Sequence, residues 1–579
     1  MDKQKIKSAK KKWMDTAVSA TLEKYGLKLS ATRFFTPDDI NGFDFEEKIG
    51  FPGQYPFTAG NSPLPRWQAF APRLAKSAAR HEWGESSAGK YAGFGTSQDY
   101  RDYLIRMHAM GRKGAPNMAI DLPSQCGYDS DDPWAEGEVG RVGVAIDSLR
   151  DFEVIYEPYT GDIDLDKIAS NFTINAPAAV IIAMYAALAE QRGIPLEKLR
   201  GTPQNDILKE FVGRGTYIFP PGPSLRLFRD TLVFCTKHMP RFNITSIGGY
   251  HMREAGASRK QDLAFSMAIG AAYLQSGIDA GLDIDAFAPN FTFNGFGGSM
   301  EIYKEIAFQR AARRMWAGIL RNRFGAKDPR SMMIRQVSTA HIGCSSTQLK
   351  RPLNNLSRSV VGGMAAGMSG GIPGAFPPYD EPLGLGHSLE AQQLAHDATR
   401  ILIYEAKIGE TLDPWAGSYF MEALTDEIES AAQEEIDKID EMGGAVAAIE
   451  NGYMQKAVAQ SAYEKQKKIE NQEEFIVGVN CFTGANEIEV SIDRSVEEVY
   501  SADLMATAEA RQIENLAQLK ASRNNKAVKR CLSELKANAR DESKNLIPDI
   551  FSCVKSYATL QEICDVLRDV FGEAAPPKL

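Results

Sequence analysis

Two segments of the chain carry side chains suited to catalysis or to anion binding. In the run IGGYHMREAG, Tyr250, His251 and Glu254 follow directly on a predicted strand. A histidine at a strand end can donate a hydrogen bond to a carbonyl or act as a general acid or base; a structural histidine bonded to the backbone explains it equally well. In FVGRGTYIFPP, Arg214 lies between two glycines. Arginine binds carboxylates and phosphates in a bidentate manner, although an exposed arginine without a ligand is the more common case.

Other candidate motifs predict no further chemistry. The glycine-rich runs Gly295–Ser299 and Gly362–Gly374 allow bare backbone to approach a ligand, but neither matches a dinucleotide or Walker loop. The seven cysteines form no C-x-x-C pair and their number is odd, which favours reduced thiols in a cytoplasmic protein. The seven histidines are scattered, so we expect no metal site built from local ligands.

Short β-like runs alternate with longer helical runs from about residue 91 onward. This alternation predicts parallel βαβ units, and a stretch of roughly 300 residues suits an eight-stranded barrel better than a six-stranded open sheet. Functional groups in such a barrel lie where strands end. The predicted strands are 117–120, 171–175, 216–219, 245–248, 286–293 and 332–337, and the predicted helices include 179–192 and 262–276.

The expected fold class is therefore α/β, a (β/α)8 TIM barrel with an N-terminal extension and a C-terminal helical segment. We expect an N-terminal helical and extended arm over 1–50, the barrel over 51–414 and a helical region over 415–579. In that last region Thr425 is the predicted cap of a helix that ends at Gly443–Gly444. The apolar stripe of that helix is Ile428, Ala432, Ile436 and Ile439.

The composition limits the classes of function. A net charge of −9 argues against general nucleic-acid binding, which needs a basic face. No apolar run reaches the length of about 18 residues that a membrane span needs. The N-terminus MDKQKIKSAKKKW is basic without an apolar core, so it is not a secretory signal. A solvated helix is the simpler interpretation of it, and a subunit-docking arm is the alternative.

Eight ordered runs of the sequence resemble the methylmalonyl-CoA mutase family, with similar spacing from about residue 45 to the C-terminus. The resemblance implies a barrel threaded by a coenzyme A ester, and an isomerase that rearranges a carbon skeleton by radical chemistry with adenosylcobalamin. The runs are YAGFG, GYDSDDP, GEVGRVGVAIDS, QNDILKEF, TYIFPPGPS, GYHMREAG, DPWAGSY and IVGVN.

Full-length members of this family also carry a cobalamin-binding domain whose D-x-H-x-x-G motif supplies a cobalt ligand. No histidine of this chain lies in such a motif; His396 is followed by an aspartate rather than preceded by one. The resemblance therefore implies a chain without a cobalamin-binding domain, the large subunit of a hetero-oligomer. Its partners are then an acyl-CoA substrate and a small subunit that carries D-x-H-x-x-G and most of the contacts to adenosylcobalamin.

Residue-by-residue match to the family assigns roles to several side chains. His251 is expected to hydrogen-bond the thioester carbonyl, and Tyr91 to contact the substrate and help displace the adenosyl group. Arg214 is expected to pair with a substrate carboxylate, since a buried arginine without an anion is unfavourable. The match also places Gln204 and Tyr250 in the pocket lining and Glu254 and Glu381 against the cofactor.

The pocket departs from the family at Asn290, which replaces an arginine, and at Asn294 and Gly295, which replace bulky aromatics. Both asparagines are candidate substrate contacts. An unfilled cavity is destabilising, so we expect a larger acyl group, namely an aryl- or alkyl-substituted succinyl-CoA converted to a substituted malonyl-CoA. The alternatives are a mutase for methylmalonyl-CoA or a small branched acyl-CoA, and a non-catalytic homologue that acts as a binding scaffold.

Overall fold

A computed structural model describes residues 3–25, 35–40, 42–63, 91–109, 114–295, 298–338, 346–371, 377–383, 389–484 and 502–575. Short parallel strands alternate with helices through the middle of the chain, as the sequence predicts. The strands are β1 (Tyr91–Ala92), β2 (Asn117–Ala119), β3 (Ser170–Thr173), β4 (Gly201–Pro203), β5 (Thr245–Ile247), β6 (Phe291–Asn294) and β7 (Gln336–Ser338).

These strands form two parallel sheets, β1-β2-β3-β4 and β5-β6-β7, in chain order. The sheets adjoin, because the Asn243 amide donates to the Gly201 carbonyl at 2.9 Å and the Ser246 amide to the Gln204 carbonyl at 2.8 Å. The carboxyl ends of the strands therefore point the same way. Within the described residues the strands do not close into a barrel, so only the parallel α/β arrangement is confirmed.

Five of the six predicted strands overlap β2, β3, β5, β6 and β7. The prediction of a strand over 216–219 is wrong. That stretch is an extended lead into the helix Pro221–His238, and it packs on the C-terminus, where the Ala574 amide donates to the Ile218 carbonyl at 2.9 Å. The strand in its place, β4, was not predicted, because a Gly-Thr-Pro run lacks the usual β-forming residues.

Helices cover the strands and make up most of the chain. The α-helices are Lys3–Trp13, Ser19–Tyr25, Phe45–Lys48, Ser97–Ala109, Leu122–Gln125, Leu149–Ile155, Ala178–Gln191, Ile207–Lys209, Pro221–His238, Gly249–Glu254, Arg259–Asp279, Ile284–Phe287, Ile302–Gly318, Pro329–Met332, Asn354–Met368, Leu389–Arg400, Tyr419–Glu441, Ala445–Glu450, Tyr453–Glu470, Ala502–Ser522, Asn525–Ala539, Ile547–Lys555 and Leu560–Phe571. Single π-helical turns span Met14–Val18, Glu210–Arg214, Ile319–Arg323 and Ile401–Glu405, and 3-10 turns span Pro37–Asp39, Pro133–Ala135, Gly161–Ile163, Leu196–Lys198, Ala288–Asn290 and Glu381–Leu383.

The C-terminal helices pack onto the helices of the strand–helix region. The helix Ala178–Gln191 is apolar on all faces and buried over most of its length, because Ile547–Lys555 packs against its outer side. The helix Arg259–Asp279 lies in the same way under Tyr419–Glu441. One continuous apolar core thus extends from the strands into the C-terminal helices.

A buried arginine fixes the helix Tyr419–Glu441 to the rest of the chain. The Arg310 guanidinium donates to Asp413 at 3.0 Å, to Glu422 at 2.7 Å and to the Thr425 hydroxyl at 2.8 Å. Thr425 is therefore a partner of Arg310 inside the helix, and the predicted cap is wrong; the cap is Ser418. The predicted apolar stripe and the stop at the two glycines are confirmed, since Ala432, Ile436 and Ile439 are buried and the helix ends at Glu441.

Buried carboxyl groups lie where the connection after β2 meets the C-terminal helices. The Gln512 amide donates to Asp147 at 2.8 Å and to Asp151 at 3.1 Å. Nearby, the Asp121 carboxylate accepts hydrogen bonds from the backbone amides of Ser124 at 3.1 Å and Gly140 at 2.8 Å. Burial raises the pKa of Asp121 to about 7 despite these bonds.

Among the described helices none is both long enough and apolar enough to cross a membrane.

Replacing Arg310 by Met should lower the free energy of unfolding by about 3–5 kcal/mol, because two buried carboxylates lose their counter-charge. Lys555→Ala is the matched control, since Lys555 and Glu190 form an exposed pair at 2.7 Å and such pairs contribute about 1 kcal/mol or less. Urea unfolding of the three proteins measures the difference. An equal loss of unfolding free energy in the two variants would contradict a larger contribution from the buried Arg310 contacts.

The raised pKa of Asp121 predicts a pH dependence of stability. Because the folded state keeps this proton to a pH of about 7 while the ordinary pKa is 3.8, the contribution of Asp121 to the free energy of unfolding should fall as pH rises from 4 to 7. Asp121→Asn cannot titrate. The stability difference, wild type minus variant, should therefore decrease over this range by a few kcal/mol, as followed by urea unfolding at each pH; a flat difference would contradict the shift.

Candidate active site at the carboxyl ends of the strands

The segment 204–216, which leaves β4, carries the charged residues of the site. Asn205 takes a positive φ of 44° and turns the chain sharply out of the strand. The turn Ile207–Lys209 continues into the π-helical turn Glu210–Arg214, which ends at Gly215 with a φ of +92°. This path brings Glu210 and Arg214, four residues apart, to the same side of the segment.

Glu210 accepts hydrogen bonds on both carboxylate oxygens inside the protein. Its Oε1 accepts from the Lys209 ammonium at 2.7 Å and from the Asn175 amide at 2.7 Å. Its Oε2 accepts from the Thr216 hydroxyl at 2.7 Å and from the Thr216 backbone amide at 3.1 Å. We call the group formed by Asn175, Gln204, Lys209, Glu210, Arg214 and Thr216 the Glu210 cluster.

The Lys209–Glu210 ion pair is fully buried, with both side chains 0% exposed. Burial alone would raise the pKa of Glu210, but the charges of Lys209 and Arg214 outweigh it and lower that pKa below its ordinary value. Burial lowers the pKa of Lys209, and the neighbouring carboxylates oppose this only in part. Each oxygen of Glu210 is satisfied, so the pair has the hydrogen bonds that a buried pair requires.

Gln204 joins the cluster from the end of β4. Its side-chain oxygen accepts from the Asn175 amide at 3.0 Å and from the Lys209 ammonium at 3.2 Å. The predicted pocket residue is thus held in a fixed orientation by the residues that also hold Glu210.

Arg214 is only partly buried, and it already has an anion. Its guanidinium NH1 lies 3.4 Å from Glu210 Oε1, and its side chain is 24% exposed. Glu210 thus supplies a counter-charge from within the chain, so the premise of a buried arginine without an anion does not apply. The pairing of Arg214 with a substrate carboxylate stays a prediction. Among the described residues the other two guanidinium nitrogens make no hydrogen bond, which leaves a donor edge for a ligand.

Asp206 connects the Glu210 cluster to the histidine segment. Its carboxylate accepts from the Gly248 amide at 2.7 Å and from the Tyr273 hydroxyl at 2.8 Å. Burial raises the pKa of Asp206. The backbone just before the helix Gly249–Glu254 is thus tied to the segment that carries Arg214.

Tyr250 and His251 lie on the first turn of that helix, with ring centroids 4.0 Å apart. Close approach at two glycines places them beside the cluster. A Cβ added to Gly248 would lie 2.8 Å from His251 Nδ1 and 3.4 Å from Lys209 Cε, and one added to Gly213 would lie 3.3 Å from the His251 carbonyl. The structure therefore brings together Gln204, Arg214, Tyr250 and His251.

The two asparagines of the predicted pocket lie at opposite ends of β6. Asn294 is the last residue of the strand, and the next residue, Gly295, packs against the Tyr250 ring. Asn290 precedes the strand in the turn Ala288–Asn290, where its amide donates to the Pro240 carbonyl at 3.1 Å. Asn290 is therefore at the amino end of the sheet and is not brought together with the other candidates.

The remaining candidates are placed by the backbone. Tyr91 begins β1 and pairs with Asn117 of β2; its side chain lies outside the described residues. Glu254 ends the helix that begins with Gly249, one turn beyond Tyr250. Glu381 begins the 3-10 turn Glu381–Leu383. Both glutamates are half-buried.

Sequence reasoning did not identify Asn175, Asp206, Lys209 and Glu210 as parts of the site. A signal was present, since three charged residues lie within the six positions after Gln204. Charged residues in a short connection are usually solvated, so their burial emerged only from the structure. The two packed segments carry an imidazole and a guanidinium edge, side chains that suit a ligand with a carbonyl and a carboxylate.

Replacing Glu210 by Gln should lower the free energy of unfolding by about 3–5 kcal/mol, because Lys209 is left buried without its counter-charge. Thr216→Val is the milder control, since it removes one hydrogen bond to a charged group, worth about 1.5–3 kcal/mol. Adding Lys209→Met to Glu210→Gln should restore part of the loss. A Glu210→Gln variant as stable as the wild type in urea unfolding would contradict this account of the pair.

Comparison with known proteins identifies the family of the chain. The family profile described as methylmalonyl-CoA mutase matches residues 25–573. The mitochondrial methylmalonyl-CoA mutase of Homo sapiens is 37% identical over 92% of this chain and 66% of its own length. The 2-hydroxyisobutanoyl-CoA mutase large subunit of Aquincola tertiaricarbonis is 35% identical over 98% of this chain and 97% of its own length.

The methylmalonyl-CoA mutase of Escherichia coli (strain K12) is 35% identical over 98% of this chain and 74% of its own length. The chain thus spans just under two thirds of the length of the mitochondrial relatives and nearly all of the large subunit. With the profile matched along almost the whole sequence, the chain belongs to the methylmalonyl-CoA mutase family.

Proposed function

We propose that this chain is the substrate-binding large subunit of an adenosylcobalamin-dependent acyl-CoA mutase whose substrate carries a free carboxylate. The observation that carries the proposal is the donor edge of Arg214, which Glu210 holds on a segment that packs through Gly213 and Gly248 against the segment of His251. An acyl-CoA with a free carboxylate carries both a thioester carbonyl and an anion, the two groups that these side chains can bind. The mutase names of the relatives support the same class of reaction.

Each side chain of the site then has a task. Arg214 binds the substrate carboxylate through the edge that Glu210 leaves open. His251 donates a hydrogen bond to the thioester carbonyl and keeps that group in place while it moves between adjacent carbons. Tyr250 lies against His251 and excludes water from the reacting carbons. Gln204 lines the pocket and keeps the Lys209 ammonium oriented.

The proposed substrate is a 2-substituted succinyl-CoA, aryl or alkyl, converted to a substituted malonyl-CoA. The small residue Gly295 next to Tyr250 supports it, because family members carry a bulky aromatic side chain in this stretch. Methylmalonyl-CoA, or a small branched acyl-CoA, is the second candidate, favoured by the names of the relatives. A scaffold without activity is disfavoured, since Arg214 and His251 keep a ligand-binding arrangement.

The proposed cofactor, adenosylcobalamin, supplies the radical that starts the rearrangement when bound. Two exposed apolar side chains in the connection after β2 are available to pack against its ring: Trp134 is 82% exposed and Val142 is 89% exposed. Val142 takes a φ of +51°, which is strained for a β-branched residue. Glu254 and Glu381 are the residues of this chain proposed to face the cofactor, and Tyr91 is proposed to contact the substrate and help displace the adenosyl group. A small subunit with D-x-H-x-x-G would supply the cobalt ligand.

We propose the fuller architecture on the same basis. Seven parallel strands in chain order support a (β/α)8 barrel over 51–414. The proposed arm covers 1–50 and the proposed helical region covers 415–579. This chain and the partner subunit form a hetero-oligomer that binds the acyl-CoA. We place it in the cytoplasm, in line with the unpaired cysteines of the described residues.

The direct test is product analysis. The chain is combined with adenosylcobalamin and a small subunit that carries D-x-H-x-x-G, and mass spectrometry follows benzylsuccinyl-CoA, methylmalonyl-CoA and isobutyryl-CoA. Isomerisation of benzylsuccinyl-CoA supports the full proposal. Efficient turnover of methylmalonyl-CoA alone would contradict the bulky substrate but support mutase activity. Turnover of isobutyryl-CoA alone would contradict the proposed carboxylate on the substrate.

Arg214→Gln should lower kcat/KM for the carboxylated ester about 100-fold, because the charged hydrogen bonds to the carboxylate are lost. Arg214→Lys should recover only part, since an ammonium cannot bind in a bidentate manner. Arg229→Gln, on the outer helix Pro221–His238, is the matched control and should leave kcat/KM unchanged. If Arg214→Gln affects esters with and without a carboxylate equally, Arg214 does not bind the carboxylate.

A further inference from the structure

We propose that Tyr273 is a positioning residue, whose hydroxyl group sets the placement of the segment that carries Arg214 relative to the segment that carries His251. The inference rests on the proposed function and extends it to a residue outside the candidate site. Tyr273 lies in the helix Arg259–Asp279 and is 0% exposed.

The Tyr273 hydroxyl joins two segments of the chain. Its oxygen accepts a hydrogen bond from the Leu208 backbone amide at 2.9 Å, and it donates its proton to Asp206 Oδ1 at 2.8 Å. The other oxygen of that carboxylate, Oδ2, accepts from the Gly248 amide at 2.7 Å. The contacts therefore run in series from the turn after β4, through the hydroxyl and the carboxylate, to the backbone directly after β5.

The direction of each hydrogen bond in this series is fixed. A backbone amide can only donate, so the Tyr273 oxygen accepts from Leu208 and the Asp206 carboxylate accepts from Gly248. The hydroxyl proton is therefore directed to the remaining carboxylate oxygen. Asp206, Leu208 and Tyr273 are all 0% exposed, and a buried polar group that loses its partner is unfavourable.

The ring of Tyr273 is held by the outer helices. It stacks on Phe228 of the helix Pro221–His238, with ring centroids 4.0 Å apart and an interplanar angle of 18°. The helix that carries Tyr273 packs in turn against Tyr419–Glu441. The hydroxyl is thus held from outside the two segments, and both take their positions from it.

Both functional side chains are close along the chain to these contacts. His251 is three residues after Gly248, and Arg214 is six residues after Leu208. An acyl-CoA that binds Arg214 through its carboxylate and His251 through its thioester carbonyl needs the two side chains at the right separation. Misplacement by about 1 Å can lower a rate about 100-fold, so a group that sets this separation affects turnover without touching the substrate.

The test removes one hydroxyl group. Tyr273→Phe keeps the ring that stacks on Phe228 and removes the partner that Leu208 and Asp206 share. Tyr185→Phe is the matched control, since Tyr185 is also 0% exposed and its ring packs against Phe242, before β5 at the amino end of the sheet.

The chain is reconstituted with adenosylcobalamin and the small subunit, and kcat/KM is measured for benzylsuccinyl-CoA or methylmalonyl-CoA, whichever the wild type isomerises. Tyr273→Phe should lower this value by about 10- to 100-fold, while Tyr185→Phe should leave it unchanged. Equal values for Tyr273→Phe and the wild type would overturn the proposal.

A double variant separates positioning from general damage. With Arg214→Gln in place only one of the two anchors remains, so their separation no longer matters, and adding Tyr273→Phe should lower kcat/KM by about twofold or less. A loss by the same factor with and without Arg214 would show a merely structural role and overturn the proposal. If Tyr273→Phe does not fold, Asp206→Asn replaces it, because an amide has one acceptor oxygen and cannot accept from both Tyr273 and Gly248.

Hydrogen exchange tests the coupling of the two segments without a substrate. Mass spectrometry of the free chain follows the peptides that contain the Leu208 and Gly248 amides. Tyr273→Phe should speed exchange in both peptides by about fivefold or more relative to Tyr185→Phe, and unchanged exchange at Gly248 would overturn the proposal. If the wild type isomerises no ester, the proposed function fails, while exchange still decides whether Tyr273 places the two segments.

Discussion

The buried ion pair between Lys209 and Glu210 constrains the rest of the site. Two adjacent charges with no exposure are stable only when every hydrogen-bonding group around them is satisfied. Asn175 from the end of β3 and Thr216 from the following loop meet that requirement, and so fix the path of the chain between β4 and the helix Pro221–His238. Arg214 takes its orientation from the same carboxylate.

The same constraint reaches the histidine through backbone contacts. Asp206 binds the Gly248 amide, and the bare glycines Gly213 and Gly248 let the two segments touch. His251 is thus positioned by the chain around it. At the end of β6, Gly295 packs directly against the Tyr250 ring. The proposed carbonyl-binding imidazole and the proposed carboxylate-binding guanidinium are therefore carried by two segments that the structure ties together.

The sequence predicted the strand ends well and the contacts between them poorly. Tyr250, His251 and Glu254 are predicted as site residues because they follow the strand pattern of β5. The sequence does not predict β4, since Gly201–Pro203 has no β-forming pattern, and the apolar residues of 216–219 predict a strand although they pack on the C-terminus instead. Glu210 lies four residues before Arg214, a spacing that a helical turn brings side by side, but the sequence pattern predicts no helix over 210–214. Asn290 is a candidate only through its match to the family, and the turn before β6 places it at the amino end of the sheet.

We propose above all that the open edge of Arg214 binds the carboxylate of an acyl-CoA whose thioester carbonyl accepts a hydrogen bond from His251. A crystal structure of the chain with succinyl-CoA bound tests it most directly. We predict a carboxylate within hydrogen-bonding distance of two Arg214 nitrogens, the Arg214–Glu210 contact retained and the thioester oxygen beside the His251 imidazole. A carboxylate bound elsewhere, with Arg214 contacting Glu210 alone, would contradict the claim.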